Sequence, residues 1–226
     1  MPRPAGETQE TSPKGGPREP RRLPPAPGEP AAGQDATDPG QDVLEATKQV
    51  AHLLKAQDRS FALAGGVAAY AHGVPRRSPH DTDFCVLRED VDAITETLTS
   101  AGLRVWRPPE DWLVKAEYHG CTIDLIFSLS DRPVGKEMLE RAEMMPIDSV
   151  WMPVLSATDL IGSQLRALSE HHCDYGALLP IARTLRERVD WAEVRRQADG
   201  RPMAVAFLYL LELLDVIRPT GEDAPR

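Results

Sequence analysis

Two aspartates separated by one residue, Asp81 and Asp83 in "HDTDFCVL", have a type and spacing that suit chemistry. Side chains at i and i+2 of a strand point to the same face, so these carboxylates project together. Carboxylates held this way repel unless a cation lies between them, and hard oxygen donors suit Mg²⁺. A third acid, Asp124, stands inside the apolar run "CTIDLIF", flanked by Ile123, Leu125 and Ile126. A carboxylate in so apolar a strand is costly to bury unpaired. If its strand lies beside the first, Asp124 completes a three-carboxylate site. Such a site can hold two Mg²⁺ ions roughly 3.5–4 Å apart for in-line phosphoryl or nucleotidyl transfer.

The residues just upstream suit a phosphate. At Gly65 and Gly66 in "FALAGG" the missing Cβ lets the backbone approach a ligand and adopt positive φ. The helix expected from about Val67 offers unpaired N–H groups and a positive dipole end. Arg76 and Arg77 sit just before the acidic pair and can bind phosphate oxygens in bidentate fashion, and Ser78 adds a hydroxyl. Each part also has an ordinary reading as a turn, a cap or a solvated loop. Their order carries more weight: strand, Gly-Gly, short helix, Gly, Arg, Asp-x-Asp opening a strand, then a lone Asp in a later apolar strand.

The elements that must position these residues follow from periodicity. "QDVLEATKQVAHLLKAQD" reads as a helix with Val43, Leu44, Val50, Leu53 and Leu54 near helical spacing and Asp42 as its cap. "FALAGG" is a short buried strand, "VAAYAHG" a short helix closed by Gly73, "TDFCVL" a second strand, and "EDVDAITETLTSAG" a capped helix. "LRVWRP", "WLVKAEYH" and "CTIDLIFS" are strand-like, with His119-Gly120 a hairpin turn between the last two. "SVWMPVL" is a last strand, leading to Ser156 as a helix cap. Four helical segments follow: "ATDLIGSQLRALSEHH", "YGALLPIARTLRERV", "WAEVRRQA" and "MAVAFLYLLELLDVI". The organisation expected is a disordered Pro/Gly-rich leader over residues 1–40, a catalytic domain over 41–155, a helical subdomain over 156–217 and a frayed tail over 218–226. The leader holds about half of the chain's 21 prolines.

Composition narrows the function. A formal net charge of -9 at pH 7 argues against a general nucleic-acid-binding surface, while leaving room for a local basic pocket. Aromatics at 5% do not supply a stacking platform for single strands. Cys85, Cys121 and Cys173 lack CxxC spacing and read as reduced thiols. No apolar run approaches the roughly 20 residues of a membrane span, and no signal peptide opens the chain, so the expected location is cytoplasmic. His80 beside the acidic pair, and the adjacent His171 and His172 at a helix end, read as solvated. Trp106, Trp112 and Trp151 have two readings, packing of the strand faces and lining of a substrate cleft.

Taken together, Gly65-Gly66, Gly73, Arg77, Asp81-x-Asp83 and Asp124 resemble the nucleotidyltransferase superfamily with the DNA polymerase β-like fold. The nearest flavour is the small bacterial group of minimal, antibiotic and toxin-type nucleotidyltransferases. The resemblance covers about residues 61–128. It implies an α+β fold, a mixed sheet with flanking helices followed by a C-terminal helical subdomain. It also implies two Mg²⁺ ions and a nucleoside triphosphate as donor. In the roles it implies, Asp81 and Asp83 bind the catalytic and nucleotide-bound metals. Asp124 completes the site and helps activate an acceptor hydroxyl for attack on the α-phosphorus, and Gly65 and Gly66 cradle the triphosphate. The chain departs from the pattern in two places. Pro79 stands where many relatives have Ser or Thr. Gln164 in "SQLRAL" stands where the toxin-like branch often has Lys. Asp174 in "HHCDYGALL" matches a position often acidic there and is equally a helix cap.

Two functions follow from different classes. One is an Mg²⁺-dependent nucleotidyltransferase that moves a nucleoside monophosphate to a hydroxyl of a small molecule, an RNA end or a protein. The other is a catalytically weak nucleotidyltransferase-fold binding module, or a toxin–antitoxin component with a protein partner. The acceptor and the nucleobase preference are not legible.

Overall fold

The sheet is organised by the hairpin at His119-Gly120, whose residues take φ of 48° and 82° as a two-residue turn of the primed type requires. It joins β4 (Leu113–Tyr118) to β5 (Cys121–Ile126) in antiparallel register from Tyr118↔Cys121 to Leu113↔Ile126. The computed structural model describes residues 39–75, 81–130 and 132–219. The leader up to residue 38, the segment from Arg76 through Ser78 to His80, and the tail from residue 220 lie outside the described residues.

In chain order, α1 (Pro39–Ala56) precedes β1 (Phe61–Ala64), α2 (Gly65–Ala71), β2 (Asp81–Val86) and α3 (Val91–Ser100). β3 (Arg104–Trp106) precedes the β4–β5 hairpin, which is followed by a small ribbon of β6 (Ser128–Leu129) and β7 (Arg132–Pro133) and by α4 (Lys136–Glu140). A second hairpin, β8 (Glu143–Ile147) with β9 (Val150–Val154), leads to α5 (Ala157–Arg166), α6 (Tyr175–Leu185), α7 (Trp191–Ala198) and α8 (Pro202–Leu213). The seven-stranded sheet has the order β3-β4-β5-β2-β1-β9-β8. It is mixed, because β2 pairs β5, and β1 pairs β9, in parallel, and the other neighbours run antiparallel. The fold is α+β, as the sequence leads one to expect.

Alternation divides the sheet into two chemically different faces. Phe84, Ile123, Leu125, Val114 and Ala116 lie on one face, all fully buried. Helices α1 and α3 pack over it, and the Thr47 hydroxyl of α1 meets that of Thr82 at 3.0 Å. Burying a Leu, Ile or Phe side chain contributes about 1.5–3 kcal/mol, so this face holds the sheet together. The opposite face carries Asp81, Asp83 and Asp124 beside the buried Cys85, Leu113 and Ile126.

Several expectations need correction. α1 starts at Pro39, so Asp42 is an acid in its first turn rather than its cap. β8 went unforeseen because "EMMPI" contains Pro146; an edge strand tolerates proline, whose missing amide interrupts no inner ladder. The helix expected through "SEHH" stops at Arg166, and Ser169 and His172 then pair backbone to backbone, with the Ser169 hydroxyl accepting from the His172 amide at 3.1 Å. Thus His171 and His172 belong to an exposed turn. Ser156 does cap α5, accepting from the Asp159 amide at 3.1 Å.

Candidate active site

Register places the charged residues in rows across the sheet. One row runs Ala64, Asp83, Asp124, Lys115 and Trp106, each the cross-strand partner of the next. The row beside it runs Asp81, Thr122, Glu117 and Arg104. The three aspartates chosen from sequence therefore share one face on two adjacent parallel strands, with Asp83 and Asp124 side by side. Lys115, which the sequence reading passed over, stands on the far side of Asp124.

Gly65 is fixed by two independent requirements. Its φ of 57° lies in the left-handed region, and a Cβ built there would fall 1.7 Å from Oδ2 of Asp83. The chain turns from β1 into α2 directly against the Asp83 carboxylate. Gly66 follows as an exposed residue of the first helical turn, and Ala64 offers no side-chain cap to that turn. Gly73, with φ of 91°, ends the helix, its amide donating to the Tyr70 carbonyl at 2.9 Å.

The aspartates differ in environment. Burial, with the nearby charges of Asp81 and Asp124, pushes the Asp83 carboxyl up to about 7, against a smaller opposing pull from Lys115. Asp81 is exposed at the strand start, whereas Asp124 is 8% exposed. Lys115 Nζ donates to both oxygens of Asp124, at 2.7 and 2.8 Å, which satisfies the carboxylate in its apolar strand.

This arrangement bears on whether the residues suit a divalent cation. The donors are hard carboxylate oxygens, the backbone at Gly65 leaves Asp83 room, and Asp124 already carries a cation, the Lys115 ammonium. Among the described residues no three His, Cys, Asp or Glu side chains close around a common point. The donor chemistry fits a divalent cation, while the side chains as they stand give one of its positions to an ammonium.

A cavity of about 390 Å³ opens beside Asp83. Ala64, Trp112, Ile126, Leu129 and Ala167 make its apolar walls, and Ser128, Ser130, Ser163 and Gln164 add neutral polar groups. Gln164 lies on α5, and its Oε1 is buried with no hydrogen-bond partner in the described structure. Such an atom normally has a partner, so it is suited to accept from a ligand. Trp112, 38% exposed, lines this cavity; Trp106 is half-buried beside Lys115, and Trp151 is exposed, so none of the three is a core residue.

Other sequence candidates fall elsewhere. Arg76, Arg77 and Ser78 lie outside the described residues. Asp174 caps α6, accepting from the Ala177 amide at 2.9 Å. Cys85, Cys121 and Cys173 are free thiols, and burial pushes the Cys85 thiol well up. No helix among the described residues is long and apolar enough to cross a membrane.

A family model described as an uncharacterised nucleotidyltransferase matches residues 31–218. No curated protein matches the chain. Among solved structures, the antibiotic-resistance factor ANT(2'')-Ia is similar at 13% identity, with a TM-score of 0.52 over 78% of this chain and 96% of that one. The lincosamide antibiotic adenylyltransferase LnuA, solved with lincomycin bound, is similar at 13% identity and a TM-score of 0.47 over 64% of this chain and 97% of that one. The Thermotoga maritima protein TM1012, described as a nucleotidyltransferase, is similar at 16% identity and a TM-score of 0.41, over 71% of this chain and 95% of that one. At such identities the likeness to ANT(2'')-Ia is one of fold.

Proposed function

This chain belongs to the uncharacterised nucleotidyltransferase family, and from that premise we propose that it transfers a nucleoside monophosphate from a nucleoside triphosphate to an acceptor hydroxyl in an Mg²⁺-dependent reaction. The observation that carries the reading is the register pair Asp83–Asp124 beside a cavity, with Gly65 against Asp83. Asp81 and Asp83 would hold Mg²⁺, and Asp124 would join them. When bound, a divalent cation neutralises charge on the phosphate oxygens during in-line displacement.

The chain's own residues supply position and proton handling. Asp124 orients the acceptor hydroxyl and draws on its proton as the oxygen attacks the α-phosphorus. The new bond forms there, the bond to the bridging oxygen of the β-phosphate breaks, and pyrophosphate leaves. Gly65 brings the backbone close to the phosphates, with Gly66 beside it. Arg76, Arg77 and Ser78 precede Asp81 in sequence and would add phosphate contacts.

The cavity lining supports a reading of the acceptor as well. Among the described residues, Asp83 is the single charged one on its wall. The rest is apolar or neutral, which suits an uncharged ligand with an apolar face better than a polycation. The alternative of a silent binding module has one observation on its side, the neutralisation of Asp124 by Lys115. Incubation with triphosphates labelled at the α- or γ-phosphate, Mg²⁺ and a cell extract separates the two. Transfer of the α-label to an acceptor is expected; binding of triphosphate with no label transferred favours the module, and movement of the γ-label alone contradicts the reaction.

A further inference from the structure

Lys115 belongs to neither the acidic motif nor the glycine turn, yet it makes the shortest polar contacts in the site. Its Nζ lies 2.7 and 2.8 Å from the two oxygens of Asp124, so one ammonium engages the whole carboxylate. The pair is well sheltered, the Lys115 side chain being 29% exposed and that of Asp124 12%. The backbone enforces the contact, because Lys115 and Asp124 are directly opposed, three pairs out from Tyr118 and Cys121, which flank the tight His119-Gly120 turn. On the other side of Asp124 stands Asp83, its partner in β2. Without a cation, two carboxylates would adjoin in a largely dry setting.

We propose that Lys115 is a positioning residue, the resident counter-ion of Asp124 in the metal-free protein, and that a divalent cation engages Asp124 only by displacing it. The inference rests on the reading of Asp81, Asp83 and Asp124 as the metal-holding residues. A free ion must then compete with a hydrogen-bonded ammonium for both oxygens of Asp124. Lys115 thereby keeps the acidic site intact without metal and weakens its hold on free divalent ions. In the absence of Lys115, the ion and the ammonium would no longer compete, and metal would become the group that stabilises Asp124.

The test is a Mn²⁺ titration, followed by electron paramagnetic resonance and by thermal unfolding with and without chelator. It compares the full chain with K115M, K115M/D124N and D81A/D83A. With the competing ammonium gone from the Asp124 carboxylate, K115M is expected to bind Mn²⁺ about tenfold more tightly than the parent chain. In chelator its unfolding temperature should fall, and Mn²⁺ should restore it. K115M/D124N, with neither charge, should regain stability in chelator and lose the gain in affinity. If K115M does not fold in chelator, it should fold in Mn²⁺; failure in both, with a folded double variant, overturns the proposal. Parent-chain Mn²⁺ binding that needs Asp81 and Asp83 but is unchanged in K115M overturns it and leaves the metal site standing. No Mn²⁺ binding by any of the proteins overturns both.

Discussion

Asp83 and Asp124 are direct partners across the parallel β2–β5 pair, and each carboxylate has its own accommodation. Asp83 lies against a glycine that cannot be replaced without collision, and Asp124 lies against a lysine that neutralises it. The site is built from local geometry on both sides of that pair.

The glycine side gives the first prediction. Gly65→Ala meets two obstacles, a left-handed backbone, which costs a non-glycine residue roughly 1–2 kcal/mol, and a Cβ overlapping Asp83 Oδ2. The variant should unfold at lower urea concentration than the parent chain. It should also bind nucleoside triphosphate more weakly, as isothermal titration would show. Gly73→Ala has open space around its Cβ, so its defect should be confined to stability.

Asp83 itself should show a conflict between stability and function. Its charge is disfavoured by burial and by the neighbouring Asp81 and Asp124. Asp83→Asn removes that charge while keeping the shape. It should stabilise the metal-free protein by about 1 kcal/mol in urea unfolding at neutral pH and abolish transfer. A loss of stability would mean that the carboxylate is a structural anchor instead.

Much of this site was legible in the sequence, and part of the rest was legible in principle. Asp81, Asp83 and Asp124 stand on one face because strand alternation and apolar flanks are strong local signals. Lys115 was missed although its signal was present. A two-residue turn at His119-Gly120 forces Tyr118 opposite Cys121 and, counting outward, Lys115 opposite Asp124. The cavity was not legible, since it joins Trp112 and Leu129 to Gln164 of α5, and such contacts depend on how helices close over a sheet. β8 was obscured by Pro146, and the early end of α5 by a Ser169 turn that competes locally with the helix.

A pH effect should arise at His72. This residue is 6% exposed; its Nε2–H donates to the Leu155 carbonyl at 2.8 Å, and burial lowers its pKa from 6.5. The depressed folded value favours the neutral ring, so its contribution to stability is present above pH 6.5 and lost as pH falls through the folded pKa. Urea unfolding should show the parent chain weakening in mild acid and His72→Gln, which keeps a donor for Leu155, weakening less.

Asp174 separates a cap from an acidic functional group. As the N-cap of α6 its carboxylate accepts from the Ala177 amide, and removing such a cap costs about 1 kcal/mol. Asp174→Ala should lower the unfolding temperature and leave nucleotide binding unchanged. Asp174→Ser, which can still cap, should recover most of the stability.

The central claim is that the carboxylates on β2 bind a nucleoside triphosphate through Mg²⁺. Isothermal titration of the chain with ATP, CTP, GTP and UTP, with and without Mg²⁺, tests it directly when repeated on D81A/D83A. Binding of at least one triphosphate that requires Mg²⁺ and disappears in a folded D81A/D83A protein is the predicted result. Equal affinity in the folded double variant, or binding indifferent to Mg²⁺, would contradict it.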